Sequence, residues 1–183
     1  IVRLCARATE IDPRYAHAWA LMAIGYMKLR EALGGHSDEG MAAIERALAV
    51  DPDLAEAHAV KAQLLLSDGA AEAAAGEVAI ALELNPESYE VNRSAGRLNY
   101  QLHHYQDAVR FYEKAAALME ADLNSASMLI SSYTALRDDA GMRRAAQLAL
   151  KRAEAVLAHD QNNSMVAGYS AYALAALGEG ERA

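Results

Sequence analysis

Residues 13–52 read PRYAHAWALMAIGYMKLREALGGHSDEGMAAIERALAVDP, a segment that begins and ends on a proline. An apolar, alanine-rich run precedes each proline. The run ends in the triplet Ile11-Asp12-Pro13 at one end of the segment and in the triplet Val50-Asp51-Pro52 at the other. The triplet recurs as Leu84-Asn85-Pro86, and a weaker form, His159-Asp160-Gln161, follows later. Proline has no N–H group and restricts the residue before it, so each triplet predicts the end of a helix.

The closing triplets recur with a period of about 34 residues. Pro52 and Pro86 are one such period apart, and Glu120 lies one period further on. The interval from Pro13 to Pro52 is longer by five positions, and the interval from Glu120 to Gln161 is longer by seven. Two intervals of equal length, flanked by two longer ones, predict a tandem repeat in which each unit is one supersecondary element.

Within each interval the apolar positions follow the faces of two helices. The first helix has large residues at the ends of its face and a small residue between them, as in Trp19, Ala23 and Tyr26. The second helix has small residues where two helices approach closely, such as Ala47 shortly before Pro52. Turn-forming residues separate the two, so each unit is predicted to be an antiparallel helical hairpin.

Composition agrees with an all-helical chain and excludes several function classes. Among the 183 residues are 43 alanines and only 3 prolines, and alanine favours helices over strands. The net charge of −8 argues against nucleic acid and anionic membranes as general partners. The single cysteine, Cys5, cannot form an internal disulfide and is predicted to fill the core. With no disulfide and no leader segment, the sequence predicts a cytoplasmic protein.

The first complete unit resembles a tetratricopeptide repeat (TPR). The matching residues are Trp19, Met22-Ala23, Tyr26, Gly40, Ile44, Ala47 and Asp51-Pro52. Later units depart from the pattern at His58, Asn92 and Ala126 in place of the large aromatic, at Ile130 in place of a small residue, and at Glu120 in place of proline. The resemblance covers nearly the whole chain and implies an all-α fold, an α–α superhelix (right-handed solenoid) of TPR helical hairpins.

The period predicts a single TPR array over residues 1–183. Its predicted parts are the second helix of a partial repeat at 1–13, complete repeats at 14–52, 53–86, 87–120 and 121–161, and a partial repeat at 162–183. Stacked repeats need polar capping elements at their ends, and neither end of this sequence carries one. We therefore expect the chain to be part of a longer array.

Two repeats are longer than the common period. The extra residues of the first lie within 34–40, where glycine and serine predict a longer turn inside the hairpin. The extra residues of the other predict a lengthened, protruding helix, roughly 139–159. Seven residues are about two helical turns, so deletion of 145–151 is expected to leave the fold intact. Either Met142 or Ala149 takes the small position of that helix.

The sequence contains no catalytic or cofactor-binding motif. A Gly-rich phosphate loop, a Cys-x-x-Cys pair, a His-x-x-x-His pair and a nucleophile elbow are all missing. His103-His104 is predicted to be an exposed loop pair, because adjacent residues on a turn point in different directions. We therefore predict a protein that is not an enzyme and that has no cofactor, no metal site and no catalytic residue.

The predicted binding surface is the concave side of the array, which the first helix of each TPR unit lines. Its outward residues should fall four, seven, eleven and fourteen positions past each closing position. The candidate partner-binding residues are Ile24, Met27, Glu56, Gln63, Glu90, Arg93, Arg97, Tyr100, Ser127, Ser131 and Tyr172. The same register also includes Asn124, Met165 and Gly168.

The middle of this surface has two alternative interpretations. Arg93 and Arg97 leave one helical face a turn apart, and Tyr100 lies on that face too. Two guanidinium groups beside an aromatic ring suit a carboxylate of an acidic partner. Alternatively, Glu56 and Glu90 pair with both arginines in an internal ion-pair network.

The resemblance implies a protein–protein interaction scaffold that binds a peptide or helix of a partner protein, with an acidic centre, in the concave groove. The alternative is a regulatory or oligomerisation TPR region of a larger bacterial signalling protein, because alanine-rich repeats of this style look similar to those appended to bacterial cyclases and transcription regulators. A homo-oligomer would then form through Ile24 and Met27, or near Tyr169 and Tyr172. Neither nucleic acid nor membrane insertion is predicted.

Overall fold

The protein is a succession of α-helices joined by short turns. The structure, a computed structural model, describes residues 1–33 and 38–179, of which about four-fifths are helical and none is in a β-strand. These residues form ten helices: α1 Val2–Ile11, α2 Ala16–Leu33, α3 Asp38–Val50, α4 Ala55–Ser67, α5 Ala71–Leu84, α6 Tyr89–Gln101, α7 Tyr105–Leu118, α8 Leu123–Ala135, α9 Asp139–Leu157 and α10 Ser164–Leu177. Most of the long turn predicted within 34–40 and the last residues, 180–183, lie outside the described residues.

The closing triplets end the helices through their acidic or amide residue as well as through proline. The side chain of Asp12 accepts a hydrogen bond from the backbone N–H two positions later (2.9 Å), and Asp51 and Asn85 do the same (3.2 Å each). Such a side chain mimics a backbone turn and satisfies a donor beyond the helix end. The triplets therefore act as a stop and as the first half of the turn into the next helix.

The turns between paired helices repeat one backbone conformation. Gly69, His103 and Arg137 have φ of 80°, 61° and 58° and are spaced by the period of the sequence. Gly178, with φ of 81°, follows after the longer interval of the lengthened repeat. After each of them, the next N–H donates to the carbonyl five positions earlier, at 2.8–2.9 Å, and this hydrogen bond with a left-handed residue is the Schellman ending of a helix. The period seen in the sequence is therefore also present in the backbone.

The described chain divides into two compact units, Ile1–Ser94 and Ala95–Ala183. In the first unit, α1 to α4 enclose a core that includes the fully buried Ala23, Ile44 and Ala47. The small side chains of Ala23 and Ala47 let the helices approach closely, and larger ones such as Ile44 and Met22 fill the space beside them. A smaller apolar cluster joins α4, α5 and the start of α6.

Two of the three residues that replace the TPR aromatic, His58 and Asn92, keep one of its hydrogen bonds. Trp19 Nε1 donates to the carbonyl of Pro13, six positions earlier, at 3.0 Å. His58 Nε2 lies 2.8 Å from the carbonyl of Pro52, and Asn92 Nδ2 donates to that of Pro86 at 2.8 Å. These contacts satisfy carbonyl groups in the turn between two helices, where no helical partner exists. The polar substitutions lose apolar area but keep the tie between turn and helix.

In the second unit the core lies where α7, α8, α9 and α10 meet. Tyr112, Ile130 and Ala149 are almost completely buried there, whereas Met142 is half-buried. Gly141 directly contacts the ring of Tyr133. Of the two residues left open by the sequence, Ala149 is therefore the buried small one, and Gly141 provides the close approach to α8.

The helix predicted over 139–159 is α9, Asp139–Leu157. The prediction that its extra turns protrude is wrong. Ala153 is completely buried in a cluster with Leu123 and Val166, and Val156 packs against it. The extra turns are covered because α8 and α10 both begin beside them.

Arg152, in the lengthened part of α9, ties that helix to the end of α7. Its guanidinium donates to the carbonyl of Ala116 at 2.6 Å and to that of Asp122 at 2.8 Å. The Ala116 carbonyl is among the last four of α7, which have no partner within the helix. A cation there also interacts favourably with the helix dipole. The lengthened helix therefore stabilises the neighbouring hairpin.

Candidate partner-binding surfaces

Two of the predicted groove residues are part of the core of the first unit. Met27 is only 4% exposed, and Ile24 is half-buried against the same core cluster. The reason is that α2 packs on α4 as well as on α3, which covers this face of α2. The apolar strip that the sequence offered for dimerisation through these two residues is therefore not open.

Four other predicted residues form polar contacts that join α4 to α6 and to the residue before it. Arg93 donates to Glu90 and, at 3.0 Å, to Gln63, whose amide nitrogen in turn donates to Glu90 at 3.0 Å. Gln63 is completely buried, and the Arg93 and Glu90 side chains are 18% and 16% exposed. Glu56 accepts a hydrogen bond from Ser88 at 2.6 Å. Arg93 is thus held in an internal network, with Glu90 as its counterion.

The remaining two residues of the predicted arginine–tyrosine cluster lie in the second unit. Arg97 is half-buried. Tyr100 is half-buried too, and its ring meets that of Tyr105 edge-on with centroids 5.6 Å apart. Tyr100 also packs against the core cluster of the second unit. Much of this ring is therefore engaged in packing.

The clearest candidate surface is a cavity of about 350 Å³ between α8 and α10, here called the α8–α10 cavity. Its lining residues are Asn124, Ser127, Met128, Ser131, Met165, Gly168, Tyr169 and Tyr172. Six of these eight are in the register that the sequence assigned to the concave surface. The structure therefore brings three of the predicted partner-binding residues together in the lining of this cavity: Ser127, Ser131 and Tyr172.

The α8–α10 cavity is neutral, aromatic and rich in hydroxyl groups. The hydroxyls of Ser131 and Tyr172 are hydrogen-bonded at 2.8 Å, which links the two helices. Met165 is 69% exposed and Tyr172 is 42% exposed at its edge. The hydroxyl of Ser127 is buried and has no hydrogen-bond partner among the described residues. The walls thus combine apolar surface with hydroxyl groups.

A second cavity, of about 280 Å³, was not anticipated from the sequence; we call it the α7–α9 cavity. Its lining residues are Glu113, Ala116, Ala117, Leu129, Tyr133, Gly141, Arg144, Ala145, Leu148 and Arg152. One sequence signal marks it. Residues 140–153 contain four basic side chains and no acidic one, in a chain of net charge −8.

A polar group lines one side of the α7–α9 cavity. The hydroxyl of Tyr133 donates to Glu113 Oε1 at 2.6 Å and also interacts with Arg144. Burial and the neighbouring Glu113 carboxylate raise the pKa of Tyr133, so the phenol stays protonated as a donor. Glu113, Tyr133 and Arg144 therefore form one connected group from three different helices.

An ion-pair group between α4 and α5 stabilises the first unit. Glu77 lies 2.6 Å from His58 Nδ1, and its other oxygen pairs with Lys61. Burial alone would raise the pKa of Glu77, but the hydrogen bonds and charges of Lys61 and His58 outweigh burial, and the net pKa is below the ordinary value. The group joins two helices of one hairpin and lines neither cavity.

The residues considered for metal or thiol chemistry have structural surroundings. His103 and His104 are exposed, and a ring nitrogen of His103 lies 2.7 Å from the Tyr105 hydroxyl. Cys5 is buried in the core of the first unit. Within the described ranges there is no group of three or more His, Cys, Asp or Glu side chains placed to hold a metal ion. None of the helices described has the length and apolar character needed to cross a membrane.

No protein-family model and no curated protein matches the sequence. Solved structures of TPR proteins do resemble it. MamA is 16% identical with a TM-score of 0.58, over 84% of this chain and 81% of MamA. PilF from Pseudomonas aeruginosa is 19% identical with a TM-score of 0.67, over 87% and 67%. The human IFIT1 dimer with m7Gppp-AAAA is 15% identical with a TM-score of 0.74, and this chain spans 42% of the IFIT1 chain.

Because the identities are this low, the similarity to these structures establishes the fold of the chain and nothing beyond it. The chain has the all-α fold of tetratricopeptide-repeat proteins, and the predicted fold class is confirmed. Proteins of this fold typically serve as non-catalytic scaffolds for protein interactions.

Proposed function

We propose that the chain is a protein-interaction scaffold that binds a segment of a partner protein in the α8–α10 cavity. One observation supports this most strongly. The cavity lies between the first helices of two successive hairpins, and most of its lining is in the register expected to face a partner. Its volume, about 350 Å³, falls within the range of about 300–1,000 Å³ typical of ligand sites.

The lining chemistry defines the partner segment. None of the described residues that line the cavity is charged, so a charged partner residue would lose water there without gaining a counterion. An apolar side chain would gain contact with Met128, Tyr169 and Tyr172, and aromatic residues are common anchors of interfaces. The exposed hydroxyl of Ser131 would bond a main-chain group of the segment. We therefore propose an uncharged contact segment here, rather than the acidic one suggested for Arg93, whose charge Glu90 already balances.

The experiment is selection of short displayed peptides on the whole chain, followed by affinity measurement with the enriched peptides. Gly168→Leu is the decisive variant, because a side chain added at Gly168 meets nothing within 4 Å and would extend into open space at the cavity. Gly76→Leu is the matched control: Gly76 is also a helical glycine with open space around it, and it lines neither cavity.

We expect Gly168→Leu and Tyr172→Ala to weaken binding at least about tenfold while Gly76→Leu binds as the wild type does. Circular dichroism should show all three variants folded. Wild-type affinity in both cavity variants, or the absence of any enriched peptide, would contradict the proposal.

A second candidate function, a regulatory or oligomerisation segment of a larger bacterial signalling protein, is supported by α1. Leu4 and Ile11 are 77% and 76% exposed, and their spacing of two helical turns puts them on one helical face. Contiguous exposed apolar patches mark interaction sites. Light scattering over a concentration series tests this candidate: oligomers should form and be lost in Leu4→Glu but not in Leu84→Glu, a change at another exposed leucine. A monomer at all concentrations would exclude self-association.

A further inference from the structure

The α7–α9 cavity has an apolar interior that the chain itself leaves unfilled. It lies between the second helices of two successive hairpins, and Leu129 of α8 belongs to its lining. Small side chains on the facing helices, Ala116 and Ala117 on α7 and Ala145 on α9, leave the space open. Its volume of about 280 Å³ lies just below the range of about 300–1,000 Å³ typical of small-molecule sites, so the space suits a single large side chain.

The charges around this cavity are predominantly positive. Its lining contains two positively charged side chains, Arg144 and Arg152, and one negatively charged side chain, Glu113. Glu113 accepts a hydrogen bond from the Tyr133 hydroxyl, Arg144 interacts with that same hydroxyl, and Arg152 donates to uncharged carbonyls. Among the described residues, the ion pairs include neither of these two arginines. With two arginines and one glutamate, the cavity lining carries one net positive charge on an acidic protein, and such a charge favours association with acidic segments.

We propose that the α7–α9 cavity is a second protein-binding site, which takes a bulky apolar side chain of an acidic segment. The apolar side chain enters between Ala117 and Leu148, and a carboxylate about one helical turn away pairs with Arg144. Charge complementarity identifies an acidic protein segment as the occupant.

This site is separate from the α8–α10 cavity. Leu129 and Tyr133 follow Ser127 and Ser131 by two positions each, so they point about 200° further around α8. The two cavities share no lining residue in the part of the chain that the structure describes. The second site therefore does not depend on the proposed function of the first.

The test uses the same displayed peptide library on the whole chain, with two matched pairs of variants. Ala117→Leu fills the cavity from an exposed position, and Ala155→Leu makes the same change at an exposed alanine of α9 that does not line it. Arg144→Glu reverses a charge at the cavity, and Arg143→Glu does so at the adjacent exposed residue outside it.

We expect one class of enriched peptides to carry leucine, methionine or phenylalanine within a turn of aspartate or glutamate. Their affinity should fall at least about tenfold in Ala117→Leu and in Arg144→Glu, should be unchanged in Ala155→Leu, and should fall much less in Arg143→Glu. Raising the salt concentration should weaken binding, because the pairing with Arg144 is exposed to solvent.

Three results would overturn the proposal. If only peptides without acidic residues were enriched, the inference of an acidic occupant from charge complementarity would be wrong. Equal affinity for the wild type, Ala117→Leu and Arg144→Glu would show that the cavity is not used. Peptides lost in Gly168→Leu but retained in Ala117→Leu would assign all binding to the α8–α10 cavity, which supports the proposed function and excludes this second site.

Discussion

Replacing Arg152 with methionine removes two hydrogen bonds and keeps most of the aliphatic volume of the side chain. A hydrogen bond from a charged donor contributes about 1.5–3 kcal/mol. The Arg152 side chain is half-buried, so water replaces part of the loss at the two carbonyls. We expect the free energy of unfolding to fall by about 2–4 kcal/mol, which for a chain of this length lowers Tm by about 5–15 °C.

The measurement is chemical and thermal unfolding followed by circular dichroism, with Lys151→Met as the matched control. Lys151 is exposed and precedes Arg152 directly, so its replacement should change the free energy of unfolding by less than about 0.5 kcal/mol. If Arg152→Met and Lys151→Met have the same stability, Arg152 does not tie α9 to α7, and the structural role given to the lengthened helix is wrong.

Four further perturbations test the packing and the electrostatics. Gly141→Ala pushes a methyl group against the ring of Tyr133 and should lower the free energy of unfolding, measured by thermal unfolding, by about 1–3 kcal/mol. Gly76→Ala places its methyl group in open space and should raise the free energy of unfolding by about 0.5–1 kcal/mol. If Gly141→Ala were the more stable of the two variants, the assigned contacts would be refuted. Deletion of 145–151 removes three buried alanines and should abolish cooperative unfolding in a thermal melt, contrary to the expectation from helix periodicity alone. The depressed pKa of Glu77 contributes stability above its ordinary value of 4.5, and this stability is lost as pH falls through the lower folded pKa. Glu77→Gln should therefore lower the free energy of unfolding at pH 7 and reduce the amount by which this free energy falls between pH 7 and pH 3. If that fall is the same in the variant and the wild type, the ion pairs do not contribute.

Much of the fold could be predicted because local chemistry determines it. The Asp-Pro and Asn-Pro triplets end helices through steric and hydrogen-bonding effects within a few residues. The left-handed turn residues were harder to find, since Gly69 signals such a turn but His103 and Arg137 do not. Only the common period relates them. The extra turns of α9 were misjudged because helix periodicity gives a face and says nothing about which neighbour covers it.

The residues of the candidate sites also divide into those that local sequence predicts and those that depend on neighbouring helices. Ser131 and Tyr172 were placed on one surface because helical register alone determines the face they occupy. Met27 has the same register, but it is buried because α4 covers that part of α2. The contact of Arg93 with Glu90 depends on side-chain conformation, which a repeat pattern does not specify. The α7–α9 cavity depends on the gap between two helices that are not adjacent in sequence.

Because α8 forms a wall of both cavities, a ligand that displaced this helix would change both of them. Leu129 and Tyr133 line one cavity, and Ser127 and Ser131 line the other. If a ligand displaced α8 as a rigid body to enlarge one cavity, the other cavity would become narrower. Thermodynamic linkage then requires reciprocity: whatever factor the first ligand imposes on the affinity for the second, the second imposes on the first. A single thirteen-residue helix would thereby make the occupation of one binding site a signal at the other.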